Sequence, residues 1–176
     1  METLYQRLLG PRFADLNPVL QRFHSSRQPI TGVGLFRVVH HPGWFRRLLV
    51  KLMGLPAAGD AIEVTVEVTP TGDGERWGRS FAGRPMVTFQ TAKDEMLMER
   101  GGPIRFGIAL AVVDGGMTFR TRSVWFLGVP LPRWLGPSVD ADVVPKGEGW
   151  SVVVRLTLPL VGRLLEYDGE VILQWT

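Results

Sequence analysis

The sequence predicts a mainly β protein, an antiparallel meander of about ten strands that forms a barrel or strongly curved sheet beneath N-terminal helices. Three observations point there. From Pro56 onward the apolar residues recur at every second position, the period of a strand with one buried face. Glycine- and aspartate-rich turns of hairpin type, Thr71-Gly72-Asp73-Gly74 and Asp114-Gly115-Gly116 among them, punctuate that pattern. Helical periodicity is confined to the first third of the chain. A long meander left open would expose pairing edges, so it closes on itself or wraps a helix. The alternative is an α+β helix-grip domain, but that fold wants a long amphipathic helix near the C-terminus, where Leu164–Trp175 reads as a strand.

At 176 residues the chain suits one domain, with 1–56 a helix-rich cap plus first strand and 57–176 the meander. Charged residues make up 21% and the net charge is only +3, with no recurring Lys/Arg block, which argues against nucleic acid as a partner. Cysteine is absent, which excludes disulfides, thiol nucleophiles and thiolate metal sites and fits a reducing cytoplasm. The N-terminus lacks a signal-peptide pattern, and no stretch reaches the roughly 20 apolar residues of a membrane span. A cytoplasmic location is expected.

Taken in order, Thr3–Leu9 and Phe13–Phe23 read as helices separated by Gly10-Pro11, the second with a stripe of Phe13, Leu16, Leu20 and Phe23. His24 follows at the helix end, either capping last-turn carbonyls or facing a ligand. Ile30–His40 is β-branched and aromatic, a strand bent near Gly32 and Gly34. His40 and His41 face opposite ways on such a strand and do not make a metal pair. Trp44–Met53 is a basic amphipathic helix, with the apolar pairs Trp44-Phe45, Leu48-Leu49 and Leu52-Met53 opposite Arg46, Arg47 and Lys51. It either packs on the sheet or acts as a lid or anionic-membrane surface helix.

Ala61–Val68 then alternates cleanly, with Ile62, Val64, Val66 and Val68 inward. Gly74–Gly83 pairs with it. Pro85–Gln90 with Asp94–Arg100, Ile104–Val113 with Met117–Leu127, and Ser138–Val144 with Trp150–Leu158 form further hairpins. Leu131–Pro137 is a proline-bracketed excursion, and Leu164–Trp175 closes the chain.

The candidate site comes from Gly74–Gly83. Trp77, Arg79 and Phe81 share one face, and two large aromatics mark that face as buried. A buried guanidinium costs several kcal/mol unless it meets a carboxylate, water or an anionic ligand. On Asp94–Arg100 the faces compete, Met96 and Met98 against Glu95, Leu97 and Glu99; with Leu97 inside, Glu99 is the counter-ion for Arg79. Met117–Leu127 is mixed as well, and its buried face is not assigned. Tyr167 points inward from the last strand beside Gly169, which leaves room or bends the strand. Trp77, Arg79, Phe81, Glu99 and Tyr167, with His24, are therefore the candidate ligand-binding residues: an aromatic wall with a cation, a carboxylate and a phenol. No catalytic elbow, P-loop or dinucleotide fingerprint is present, so no catalytic residue and no cofactor are assigned.

The segments LYQRLLGPRFADLNPVLQRFH, ERWGRSFAG, GVPLPRWLGP and LPLVGRLLEYDGEV resemble a bacterial family of domains of unknown function. That resemblance implies a domain found alone or behind oxidoreductase domains similar to saccharopine dehydrogenase, with no established activity. Three functions follow as expectations. The first is binding of a hydrophobic or amphipathic small molecule, its anionic head on Arg79 and Tyr167. The second is an enzyme using the same interior, with Glu99 or His24 as acid or base. The third is an accessory domain docking an oxidoreductase through Leu131–Pro137 or the basic helix. Peripheral contact with an anionic membrane through Trp44–Met53 is the further partner expected.

Overall fold

The computed structural model describes residues 2–174; Trp175, expected on the inner face of the last strand, and the side chain of Leu52 lie outside the described residues. The chain opens with α1 (Leu4–Leu9), a 3-10 helix (Gly10–Asp15) and α2 (Pro18–Ser25). The single helix expected over Phe13–Phe23 is split in two. Pro18 disfavours helical backbone at the residue before it, and Asn17 instead caps α2, its side-chain oxygen accepting from the Val19 amide at 3.0 Å. The apolar stripe survives the break: Leu16, Leu20 and Phe23 are buried and Phe13 is half-buried.

The strands are β1 (Ile30–His40), β2 (Gly59–Thr71), β3 (Gly74–Phe81), β4 (Arg84–Lys93), β5 (Met96–Gly101), β6 (Ile104–Val113) and β7 (Gly116–Phe126), with α3 (Trp44–Leu52) between β1 and β2. They continue with a two-residue β8 (Val129–Pro130), β9 (Ser138–Lys146), β10 (Gly149–Leu158) and β11 (Gly162–Gln174). Each of β1 to β7 pairs antiparallel with the next, β9 joins β7, and β11 returns to β1. The result is a closed barrel of ten strands with N-terminal helices, β8 lying at the edge of β7. No helix near the C-terminus grips the sheet among the described residues.

Closure is shortest at the seam between β7 and β9, where backbone pairing covers only Met117–Phe119 against Ala141–Val143. Side chains extend it. The Thr121 hydroxyl donates to the Val139 carbonyl and accepts from its amide, and outside the barrel Arg120 and Arg155 both clasp Asp142. Burial would raise the Asp142 pKa, but hydrogen bonds from Arg120 and Arg155 hold it below the usual carboxylate range.

Alternation places Phe36 and Val38 of β1, Val64 and Val66 of β2, Leu97, Ile108, Met117, Leu165 and Val171 inside. Two face assignments left open by the sequence resolve here. On β5, Leu97 and Glu99 face inward. On β7, a bulge opposite Gly107/Ile108 changes the parity: Met117, Phe119 and Thr121 are inward, then Val124, with Arg120 outside.

Because turns alternate ends in an antiparallel barrel, the β2–β3, β4–β5, β6–β7 and β9–β10 turns lie together. The N-terminal helices close that end, the Asn17 amide bonding the Gly115 carbonyl at 2.8 Å and the Arg7 guanidinium bonding the Asp73 carbonyl. At the opposite end α3 is tied to the β10–β11 turn, Arg46 Nε donating to the Val161 carbonyl at 3.2 Å.

Gly169 does not leave open room, because Phe36 fills its place. A Cβ there would stand 2.5 Å from the Phe36 ring and 2.6 Å from the Leu35 carbonyl oxygen. The first neighbour can shift and the second is backbone, so Gly169→Ala should destabilise by about 1–3 kcal/mol in urea unfolding.

Candidate functional site

The inner face of β3 carries Glu75, Trp77, Arg79 and Phe81, with Gln90, Thr88 and Met86 opposite on β4. Gln90 in turn faces Glu99 on β5. A polar ladder, Glu75–Gln90–Glu99, therefore crosses three strands one layer above Trp77 and Thr88. Arg79 reaches diagonally across it. Its Nη1 donates to the Thr88 hydroxyl at 3.2 Å and stands 3.5 Å from Glu99 Oε1, while the Thr88 hydroxyl donates to the same carboxylate oxygen at 2.7 Å. Both side chains of the Arg79–Glu99 pair are 18% exposed. The guanidinium carbon also lies 5.0 Å from the Trp77 ring centroid, a cation–π contact.

Phe81 and Tyr167 meet edge to face at 5.4 Å, and Phe36 closes the cluster at 6.1 Å from Phe81 and 6.0 Å from Tyr167. The Tyr167 hydroxyl makes no hydrogen bond among the described residues. Burial pushes its pKa up, the Arg79 charge pulls it down, and Glu99 raises it. Trp77, Arg79, Phe81, Glu99 and Tyr167 thus converge on one side of the lumen. Several of the inward residues there, Trp77, Met86, Thr88, Phe106, Phe119 and Tyr167, keep accessible surface although they face the interior.

His24 lies in a separate layer, under the helical cap. Its ring is 3.7 Å from that of Tyr5 and 4.7 Å from that of Phe23, and Nδ1 is buried without a hydrogen-bond partner among the described residues. Burial lowers its pKa to about 3. Tyr5 is fully buried and donates to Gln90 Oε1 at 2.9 Å, which pins α1 to the polar ladder. Burial raises the Tyr5 phenol pKa well above its ordinary value, and the charge of Glu75 adds to the rise. Glu75 is 7% exposed, accepts from Trp77 Nε1 at 2.9 Å, and is pushed up to about 7 by burial against that one hydrogen bond. Beside it, between Phe23, Ile30 and Val68, lies a crevice of about 10 Å³, room for one water.

Among the described residues no three His, Asp or Glu side chains are placed to share a metal ion. His40 faces the Pro56 carbonyl at 2.8 Å from Nε2. No described helix is long and apolar enough to cross a membrane.

A family model described as "Domain of unknown function (DUF4166)" matches residues 16–171. The chain belongs to that family. No curated protein and no solved structure matches it.

In this DUF4166 domain the sequence reading missed Glu75, Thr88, Gln90 and Tyr5. Glu75 carried a usable signal, since it stands two residues before Trp77 and so shares its face. Thr88 and Gln90 alternate with Val87 and Phe89, which are exposed on the outside of the barrel. There the larger apolar residues face outward and mislead any reading from hydrophobicity. Tyr5 belongs to a six-residue helix too short for a periodic pattern.

Proposed function

We infer that this β-barrel domain binds an amphipathic small molecule in its lumen, the anionic head on Arg79 and Tyr167. One observation carries the reading: among the described residues the hydroxyl of a phenol inside the barrel has no hydrogen-bond partner, and it feels the charge of the Arg79 guanidinium, which donates there only through Nη1. A carboxylate or phosphate head would accept from the remaining Arg79 nitrogens and from the Tyr167 hydroxyl, satisfying groups that the fold leaves unpaired. Phe81, Phe36 and Trp77 supply the apolar wall for the tail. Glu99 competes for Arg79, which favours a head that binds through Nε and Nη2 while the Thr88–Glu99 bond persists.

The reading is tested by displacement of a fluorescent fatty-acid probe, with native mass spectrometry of the protein after mild purification. Tyr167→Phe should weaken binding about tenfold by removing one charge-assisted hydrogen bond. Arg79→Met should abolish it. Probe binding that is absent, or indifferent to both substitutions, overturns the reading.

A further inference from the structure

The geometry points to the end of the barrel opposite the helical cap as a surface that docks on an anionic lipid bilayer. This rests on the outer rim, not on the lumen, and holds whether or not the lumen takes a ligand. Antiparallel connectivity brings α3, the β3–β4, β5–β6 and β10–β11 turns and the β7–β9 excursion to this one end. Of these, α3, the β7–β9 excursion and the β10–β11 turn carry large apolar residues into solvent. Trp44 is 78% exposed, Leu48 45%, Leu127 73%, Trp134 65%, Leu135 51% and Leu160 93%.

Two of these leucines sit at turn tips in left-handed backbone, Leu127 at φ 50° and Leu160 at φ 66°. That conformation favours glycine or asparagine, so an exposed leucine there gains nothing from the fold alone. The apolar face of α3 is buried only in part. Val50 is buried and Leu49 half-buried against the barrel, Arg46 is tied to Val161, and Trp44, Phe45 and Leu48 are left outside beside Arg47 and Lys51. Tryptophan and leucine flanked by long cations are the composition of an interfacial helix.

Charge complementarity selects the occupant. These connections and the strand ends within two residues of them carry Arg46, Arg47, Lys51, Arg84, Arg100, Arg105 and Arg133, while the sole carboxylate there is Asp60; Arg163 pairs with Glu166. The capped end is balanced by contrast, with Asp73, Asp94, Glu95, Asp114 and Glu148 in its turns. A modest net charge of +3 therefore hides a strongly polarised molecule. Arg100 and Arg105 also line a groove of about 210 Å³ with Leu127, cation and apolar surface together, as a phosphate headgroup and its acyl chain require. Exposed aliphatic tips are of no use against a nucleic acid backbone, and a basic rim fits a lipid headgroup layer.

The test is flotation of the full chain with phosphatidylcholine vesicles, with and without phosphatidylserine, at low and high salt. Retention is expected on the anionic vesicles alone, with release at high salt as the Debye length shortens. Neutralising Arg47 and Lys51 (Arg47→Gln, Lys51→Gln) should lower partitioning roughly fivefold per charge. Leu160→Ser and Trp134→Ser should lower it further, whereas Arg12→Gln at the capped end should not. These positions are exposed, so unchanged melting curves confirm that the variants fold. Failure to float at low salt, or flotation indifferent to the rim substitutions, overturns the inference. So does a sedimentation-detected dimer that Leu160→Ser dissolves, which would make this face a contact between copies.

Discussion

Stability measured against pH should be nearly flat between about 4.5 and 6.5, and either of two single substitutions should turn that plateau into a slope. His24 is held neutral under the cap, its pKa lowered by burial from 6.5 to about 3. Its contribution is present above the unfolded value and lost as pH falls from 6.5 towards 3, because the unfolded chain takes up a proton that the native site refuses. Glu75 acts with the opposite sign. Its pKa is raised by burial from 4.5 to about 7, so its contribution is full below 4.5 and lost as pH rises through 7. At 1.36 kcal/mol per pKa unit the two spans are worth about 5 and about 3 kcal/mol. Where the windows overlap, the slopes cancel.

Glu75→Gln keeps an acceptor for Trp77 Nε1 and removes the ionisation. The variant should climb steadily in stability from about pH 3 to 6.5 and exceed the parent by about 3 kcal/mol above pH 7. His24→Leu should show the mirror image, a fall between about pH 4.5 and 7 with the acid limb gone. Urea midpoints at unit pH intervals measure both. A parent curve that already slopes steeply across the overlap would mean that one of the two groups titrates near its ordinary value.

What the sequence made legible follows from how local each signal is. The β3 face was readable because Trp77, Arg79 and Phe81 alternate with small or hydrophilic neighbours, Gly78 and Ser80 among them, so burial and parity agree. On β5 the sequence tied Glu99 to Leu97 but left their face open, because Met98, also buried, competes with them. The strand β7 could not be read at all. Its bulge changes parity between Thr121 and Val124, so no single period fits Met117 to Phe126. Closure of the ring depends on pairing between β1 and β11, residues more than a hundred positions apart, about which local periodicity is silent. Nor does composition reveal that the rim is basic. The charges are scattered along the chain and meet only when alternating turns are gathered at one end.

The cost of removing Arg79 should report directly on how wet the lumen is. Were the pair dry, Arg79→Met would strand the Glu99 carboxylate with only the Thr88 hydroxyl to solvate it, and breaking one side of a buried pair costs about 3–5 kcal/mol. With water freely at hand the same change would cost under about 1 kcal/mol. Side chains 18% exposed, an Nη1–Oε1 separation of 3.5 Å and a bridging threonine place the pair between those limits, and about 2–3 kcal/mol is expected. Glu99→Gln should cost less, since the guanidinium that it leaves without a counter-ion keeps Thr88 and the Trp77 face. Combining Arg79→Met with Glu99→Gln should recover most of the loss from Arg79→Met alone, a coupling of about 2–3 kcal/mol in a double-mutant cycle. Additive effects would mean that each group is solvated independently. In that case the guanidinium is already fully hydrated, and an incoming anionic head would have to compete with bulk water for it, leaving the proposed head site little binding energy to draw on.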